Sequence, residues 1–166
     1  MKRRLPLFAA LCLLAVPAAV LVAPPVWAQM AEPTGPQPKL PTQKLTIITH
    51  DGARHDFTVE MALTPEQQQI GEMFRTVIPA DQGMLFDWVV PREVPMWMKN
   101  CPIPEDMVFI GADGRISHIA EDTVPNSLAE ISSGGPARAT LELQGGLTAK
   151  LDIRVGDQVE SSIFKK

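Results

Sequence analysis

Leu45-Thr-Ile-Ile-Thr49, Asp51-Gly52 and Phe57-Thr-Val-Glu-Met-Ala-Leu63 read together as a β-hairpin. Apolar and polar residues alternate along both arms, so every second side chain meets one face, and the Asp-Gly pair supplies the turn. A helix opens directly afterwards at Thr64-Pro65-Glu66-Gln67. Thr64 is the cap, Pro65 suits the first helical position, and Gln67 bonds back to the cap, while Ile70, Met73 and Phe74 form the apolar stripe.

Further along, Gly83-Met-Leu-Phe-Asp-Trp-Val-Val90 and Val94-Pro-Met-Trp-Met-Lys99 read as a second strand pair joined through Pro91-Arg92-Glu93. Pro95 marks an edge or the start of a strand. Met107–Ile110 and Arg115–Ala120 flank Gly111-Ala-Asp-Gly114 as a third hairpin, Ala139–Leu143 is another strand, Thr148 to Ile153 holds one helical turn, and Gly156-Asp157 turns into a last strand, Gln158–Ile163. The stretch from Asp122 to Pro136 is a long loop without periodicity, of the kind that often carries function. Short strands at close spacing with one clear helix predict a mainly β (α+β) fold, a small barrel-like or strongly curved antiparallel sheet.

Ahead of the hairpin, Lys2-Arg3-Arg4 precede an apolar run to Val22 and the small-residue site Val26-Trp27-Ala28. This is the pattern of a secretory signal peptide cleaved after Ala28. Pro6, Pro17, Pro24 and Pro25 interrupt the run and argue against a spanning helix, and Leu11 argues against lipidation at Cys12. The predicted organisation is therefore a signal peptide (1–28), a flexible proline-rich linker (29–43) and a single domain (44–166), periplasmic or secreted and monomeric. Of the chain's 15 Lys and Arg and 19 Asp and Glu, the leader removes three positive charges, so the mature protein carries −7. That balance argues against nucleic acid and anionic membrane surfaces as partners. Cys101 becomes the sole thiol, which rules out an internal disulfide and favours burial.

The segments Met73-Phe74-Arg75, Gly83-Met-Leu-Phe86, Met96-Trp-Met-Lys-Asn100, Ile103-Pro104, Asp106, Asp113-Gly114, Glu142-Leu143, Gly145-Gly146 and Gly156-Asp157 occur in an order that resembles the domain of unknown function 192 family. The resemblance implies a small, often exported β-rich domain and no particular activity, substrate or cofactor. Two departures stand out: Glu105 occupies a place where similar sequences usually carry leucine, and Cys101 one where they carry threonine or another small polar residue.

Alternation along Met96–Asn100 puts Met96, Met98 and Asn100 on one side and Trp97 and Lys99 on the other. Lys99, Asn100 and Asp106, with Arg75 and Asp81 after the helix and Trp97 as an apolar wall, form the candidate ligand-binding cleft. The plainer alternative pairs Arg75 with Asp81 or Asp106 in a structural ion pair. The function expected is a non-enzymatic envelope module binding a small polar ligand, a glycan or a partner peptide or envelope protein. An envelope hydrolase acting on carbohydrate through Asp106 and Glu142 is the second reading, and Cu(I) binding through Met73, Met84, Met96, Met98, Cys101 and Met107 the third. Against copper, these methionines sit in apolar patterns and His50, His55 and His118 are scattered, so no metal or cofactor is assigned. Ser132-Ser133 with His118 lacks a nucleophile elbow, and the glycines do not form a phosphate loop.

Overall fold

The computed structural model describes residues 32–164; the expected signal peptide, its expected cleavage site after Ala28 and the first residues of the expected linker lie outside them. The opening hairpin pairs β1 (Thr42–Ile48) with β2 (Arg54–Ala62) in antiparallel register, Leu45 facing Phe57. Leu45, Ile47, Phe57, Val59 and Met61 all enter the main core, as the alternation requires. The turn is longer than two residues: Gly52 adopts φ 87°, and Asp51 accepts from the Thr49 hydroxyl (2.5 Å) and the Ala53 N–H (3.1 Å).

Helix α1 (Pro65–Ile70) carries the complete capping box between Thr64 and Gln67. It ends one turn earlier than the apolar stripe suggests, because Gly71 takes φ 51° and breaks the ladder. Met73 and Phe74 pack beyond the helix, beside Met98 and Cys101, and the Phe74 N–H donates to the Asn100 carbonyl at 2.7 Å.

The reading of residues 83–99 as a strand pair is corrected. β3 (Gln82–Arg92) is one long strand that runs through Pro91, pairing parallel with β2 and antiparallel with β8 (Ala137–Gln144). Its register shifts between Asp87 and Arg92, where Val89 takes φ 62°. In that bulge Pro91 costs no ladder hydrogen bond, so the residue that looked like a turn sits inside a bent strand. Beyond it only β4 (Pro95–Met96) is extended in a ladder, against β7 (Ile131–Ser132) within the long loop.

β5 (Glu105–Ile110) and β6 (Ile116–Ala120) form the third hairpin, and β8 lies on the other side of β5. The single-turn α2 (Leu147–Lys150) and β9 (Gln158–Glu160) follow, β9 pairing with β1. The sheet runs β6-β5-β8-β3-β2-β1-β9, with β2-β3 its one parallel pair, bridged by α1. It curls until its edges meet at one end, where Arg115 bridges Gln158 and the Val159 N–H donates to the Gly114 carbonyl at 2.8 Å. The fold is thus mainly β, a strongly curved sheet with two short helices.

The curl gives the sheet two unlike faces. One encloses the main core, with Leu85, Val108, Ile110, Leu141 and Leu143 among its members. Each fully buried side chain of this kind contributes about 1.5–3 kcal/mol. The other face carries Met84, Phe86, Met107 and Phe109 under a cover made by the chain after α1 and by residues 94–101.

The described part of the expected flexible linker, from Glu32 onward, lies along the domain. Gln37 Nε2 donates to the Gln67 and Gly71 carbonyls at 3.1 and 2.9 Å, the Leu40 N–H donates to Glu60 Oε2 at 2.7 Å, and Leu40 packs on the Met84–Phe86 cluster. The prolines give the segment an extended form without internal hydrogen bonds, which leaves its polar groups free for these contacts.

Candidate functional site

Strand alternation dictates what the second face carries. Since Leu141 and Leu143 enter the main core, Glu142 between them points the opposite way; Val108 and Ile110 likewise place Met107 and Glu105 on the Glu142 side. The registers align Glu60 with Met84, Met84 with Glu142 and Glu142 with Met107, a row across β2, β3, β8 and β5. Glu105 follows two residues from Met107 on the same face. Glu72 joins these acids from the chain just after α1.

All four glutamates are buried, Glu105 completely and Glu142 and Glu72 to within 3% and 2% exposure. A single guanidinium answers them. Arg75 forks onto Glu60, Nη1 to Oε1 at 2.7 Å and Nη2 to Oε2 at 3.0 Å, and its Nε lies 3.0 Å from Glu72 Oε2 without hydrogen-bond alignment. Burial pushes the Glu60 carboxyl up, but the Arg75 fork and the Leu40 N–H outweigh it and hold it below its ordinary value. Glu72 is raised to about 7 by burial, with Arg75 opposing. Glu105 is raised to about 8 by burial and by the neighbouring Glu72, and Glu142 well above its ordinary value by burial and then by Glu105 and Glu72. Near neutral pH the floor therefore holds protons that free carboxyls would have released. Both oxygens of Glu105 and Oε2 of Glu142 have no hydrogen-bond partner among the described residues.

Above Glu142 opens a cleft of about 310 Å³, walled by Phe86, Trp88, Met96 and Trp97, with Gln69, Glu72 and Glu142 reaching into it. Phe86 and Trp88 stack with centroids 5.7 Å apart. Gly71 lines the cleft at φ 51°, a conformation that strains any side chain, and a Cβ there would lie 3.0 Å from Phe86 and 3.6 Å from Glu142 Oε2.

The structure brings together two of the six residues proposed from sequence. Trp97, 44% exposed, and Lys99 line the rim, where the Lys99 ammonium sits 5.2 Å from the Trp97 ring centre and 2.6 Å from Glu32 Oε2. Arg75 lies behind the floor, in the structural ion pair the plainer alternative describes but with Glu60 and Glu72 as partners. Asp81 is exposed, and its carbonyl holds Thr58. Asn100 adopts φ 58° and donates to Met73 Sδ at 3.7 Å, fixing the loop. Asp106 is fully buried and accepts from the Asp122, Gly146 and Thr148 N–H groups and from the Thr148 hydroxyl, all within 2.8 Å. Its carboxylate anchors α2 and the loop after β6.

Asp106 also shares the Val108 side of β5, so Asp106 and Glu142 stand on opposite faces of the sheet and cannot flank one glycosidic bond. Ser132 donates to Glu93 and Ser133 to the Gly135 carbonyl, while His118 stacks on Phe109, so these three form no triad. Among the described residues no group of three His, Cys, Asp or Glu side chains is placed to hold a metal ion. Met98 Sδ accepts from the Thr123 hydroxyl at 3.0 Å and Met84 Sδ from Gln37 at 3.8 Å, so both thioethers serve the core. Burial pushes the Cys101 thiol up, and the adjacent Glu105 and Glu142 push the same way, which leaves it a poor nucleophile.

The residues that sequence reasoning missed are Gln69, Glu72 and Glu142 as a cleft set. A signal existed: a glutamate set between leucines at 142, and another replacing the usual leucine at 105, are charges at positions whose period is that of the core.

The chain belongs to the domain of unknown function 192 family, whose model, described as Uncharacterized ACR, matches residues 46–161. A solved structure from Sinorhizobium meliloti 1021, provisionally titled a transcription regulator, is 41% identical with a TM-score of 0.74, covering 76% of this chain and 98% of that one. A protein of unknown function from Novosphingobium aromaticivorans is 37% identical with a TM-score of 0.72, covering 84% of this chain and 99% of the other. No protein of curated function matches the chain.

Proposed function

We propose that this protein is a non-enzymatic module, exported through its N-terminal signal peptide, that binds a small polar ligand in the cleft above Glu142. The observation that carries this reading is a pair of buried oxygens without a hydrogen-bond partner among the described residues, Gln69 Oε1 and Glu142 Oε2, on residues that line an aromatic-walled cleft. A buried acceptor without a donor costs about 1–3 kcal/mol, and a fold that keeps two of them on residues lining one cleft leaves a place where a bound molecule repays that cost. The size of the cleft, about 310 Å³, suits a compact ligand. A raised carboxyl in a cleft is also what a general acid needs, but Glu60, the neighbouring acid held below its ordinary value, is locked in the Arg75 fork, which favours binding over hydrolysis. The titled role of the Sinorhizobium protein does not extend to this reading, since a mature charge of −7 opposes DNA.

A thermal-shift screen of small polar compounds tests it. Compounds that stabilise the wild type should lose their effect in Glu142→Gln and weaken in Trp97→Ala; hits that survive both changes would place the site elsewhere.

A further inference from the structure

The cleft floor is short of positive charge. Arg75 spends its fork on Glu60 and lies beside Glu72, and makes no bond to Glu142. The next cation, Lys99, is held at the rim by Glu32 and the Trp97 face. Among the described residues, the buried side-chain oxygens without a hydrogen bond on residues that line the cleft are Gln69 Oε1, Glu142 Oε2 and Glu72 Oε2, the last in ion-pair contact with Arg75. Gln69 is not an acid, so its orphaned carbonyl oxygen points to a missing donor independently of charge. No group of three His, Cys, Asp or Glu side chains among the described residues is placed to hold a metal ion. A cation with several N–H groups, which spreads its donors over separated acceptors, meets the same deficit. The wall suits it too: the rim already keeps an ammonium 5.2 Å from the Trp97 ring, and Arg92 lies 4.8 Å from the Trp88 ring.

Resting on the binding role proposed above, we infer that the ligand is a small organic cation, an amine or guanidine carried on an apolar body, whose N–H groups are accepted by Glu142, Glu72 and Gln69. In its absence protons neutralise the floor. The groups facing Glu142 are Glu105 from β5, Glu72 and Arg75 after α1, Cys101 from the 95–101 cover, and Glu60 further along the row. Burial and mutual repulsion keep Glu72, Glu105 and Glu142 protonated toward neutral pH, so an incoming cation displaces protons to the solvent and its affinity climbs with pH.

Titration calorimetry of the purified protein with benzylamine and butylguanidine, against neutral benzyl alcohol, reads this directly at pH 6 and pH 8. The cations should bind, with affinity about tenfold higher at pH 8, the factor for displacing one proton from a group that titrates near 7. Benzyl alcohol should bind at least about tenfold more weakly than benzylamine, the equivalent of one charge-assisted hydrogen bond. Glu72→Gln should lose most of the pH dependence over this range, and Glu142→Gln, read in parallel, should weaken the binding itself; the wild-type pH and isostere comparisons need neither variant. Benzyl alcohol binding as tightly as benzylamine, and through Glu142, would overturn the cation while leaving the binding role intact. Cation affinity that is flat or falling with pH, or no cation binding in a protein whose screen gives Glu142-dependent neutral hits, would overturn it as well.

Discussion

Replacing Glu72 by glutamine should make the protein more stable at pH 8 and leave it nearly unchanged at pH 5. Its carboxyl, ordinarily near 4.5, titrates at about 7 in the folded protein, chiefly through burial. Between those values the folded state retains a proton that the unfolded chain has released, so stability is fullest below about 4.5 and declines as pH rises toward 7. At about 1.4 kcal/mol per pH unit, this one group withdraws about 3 kcal/mol by pH 8, roughly 10 °C in Tm for a domain of this size. Glutamine imitates the protonated carboxyl and escapes the loss. Glu105 and Glu142 act in the same direction, so the wild-type decline should exceed this figure and be flattened, not abolished, by the single change. Urea unfolding of wild type and Glu72→Gln at half-unit steps from pH 5 to 8 measures both curves. A wild type whose stability is level across this range, or a variant weaker than wild type at pH 8, would show that Glu72 is a charged partner of Arg75 and refute the argument.

Asp106→Ala should cost about 3 kcal/mol or more, since it strips four donors of their acceptor, and should leave ligand affinity in the cleft intact; chemical unfolding and calorimetry separate the two. Leu141→Ala, at a fully buried site in the main core, should cost about 2–5 kcal/mol in the same unfolding assay. Cys101, 5% exposed and with its thiol pKa pushed up, should resist Ellman's reagent at pH 8 in the native state and react at once in denaturant; fast native labelling would contradict the burial.

The alternation from Leu45 to Leu63 and the cap at Thr64 were legible because each is a local property, fixed by neighbours within a few residues. The parallel partnership of β2 and β3 was not, since α1 hides the crossover and Pro91 imitates a turn while sitting in a bulge. Alternation put Trp97 and Lys99 on one side of the chain, and both line the cleft, although only Pro95 and Met96 of that stretch lie in a ladder. Asp106 misled because its neighbours in sequence, Lys99 and Asn100, face elsewhere; its true partners, Gly146 and Thr148, stand forty residues away and are reached only through the pairing of β5 with β8. The acid row of Glu60, Glu142 and Glu105 depends on registers among four strands, which no local pattern encodes.

Side-chain carboxyl titration by carbon-13 NMR bears most directly on the floor of the cleft, on which both the binding role and the nature of the ligand depend. The Glu72 resonance should move with a midpoint near 7, with Glu142 titrating well above the ordinary carboxylate range and Glu60 below it. Glu72 and Glu142 resonances titrating together near 4.5 would mean a hydrated, fully ionised floor, and the account would fail.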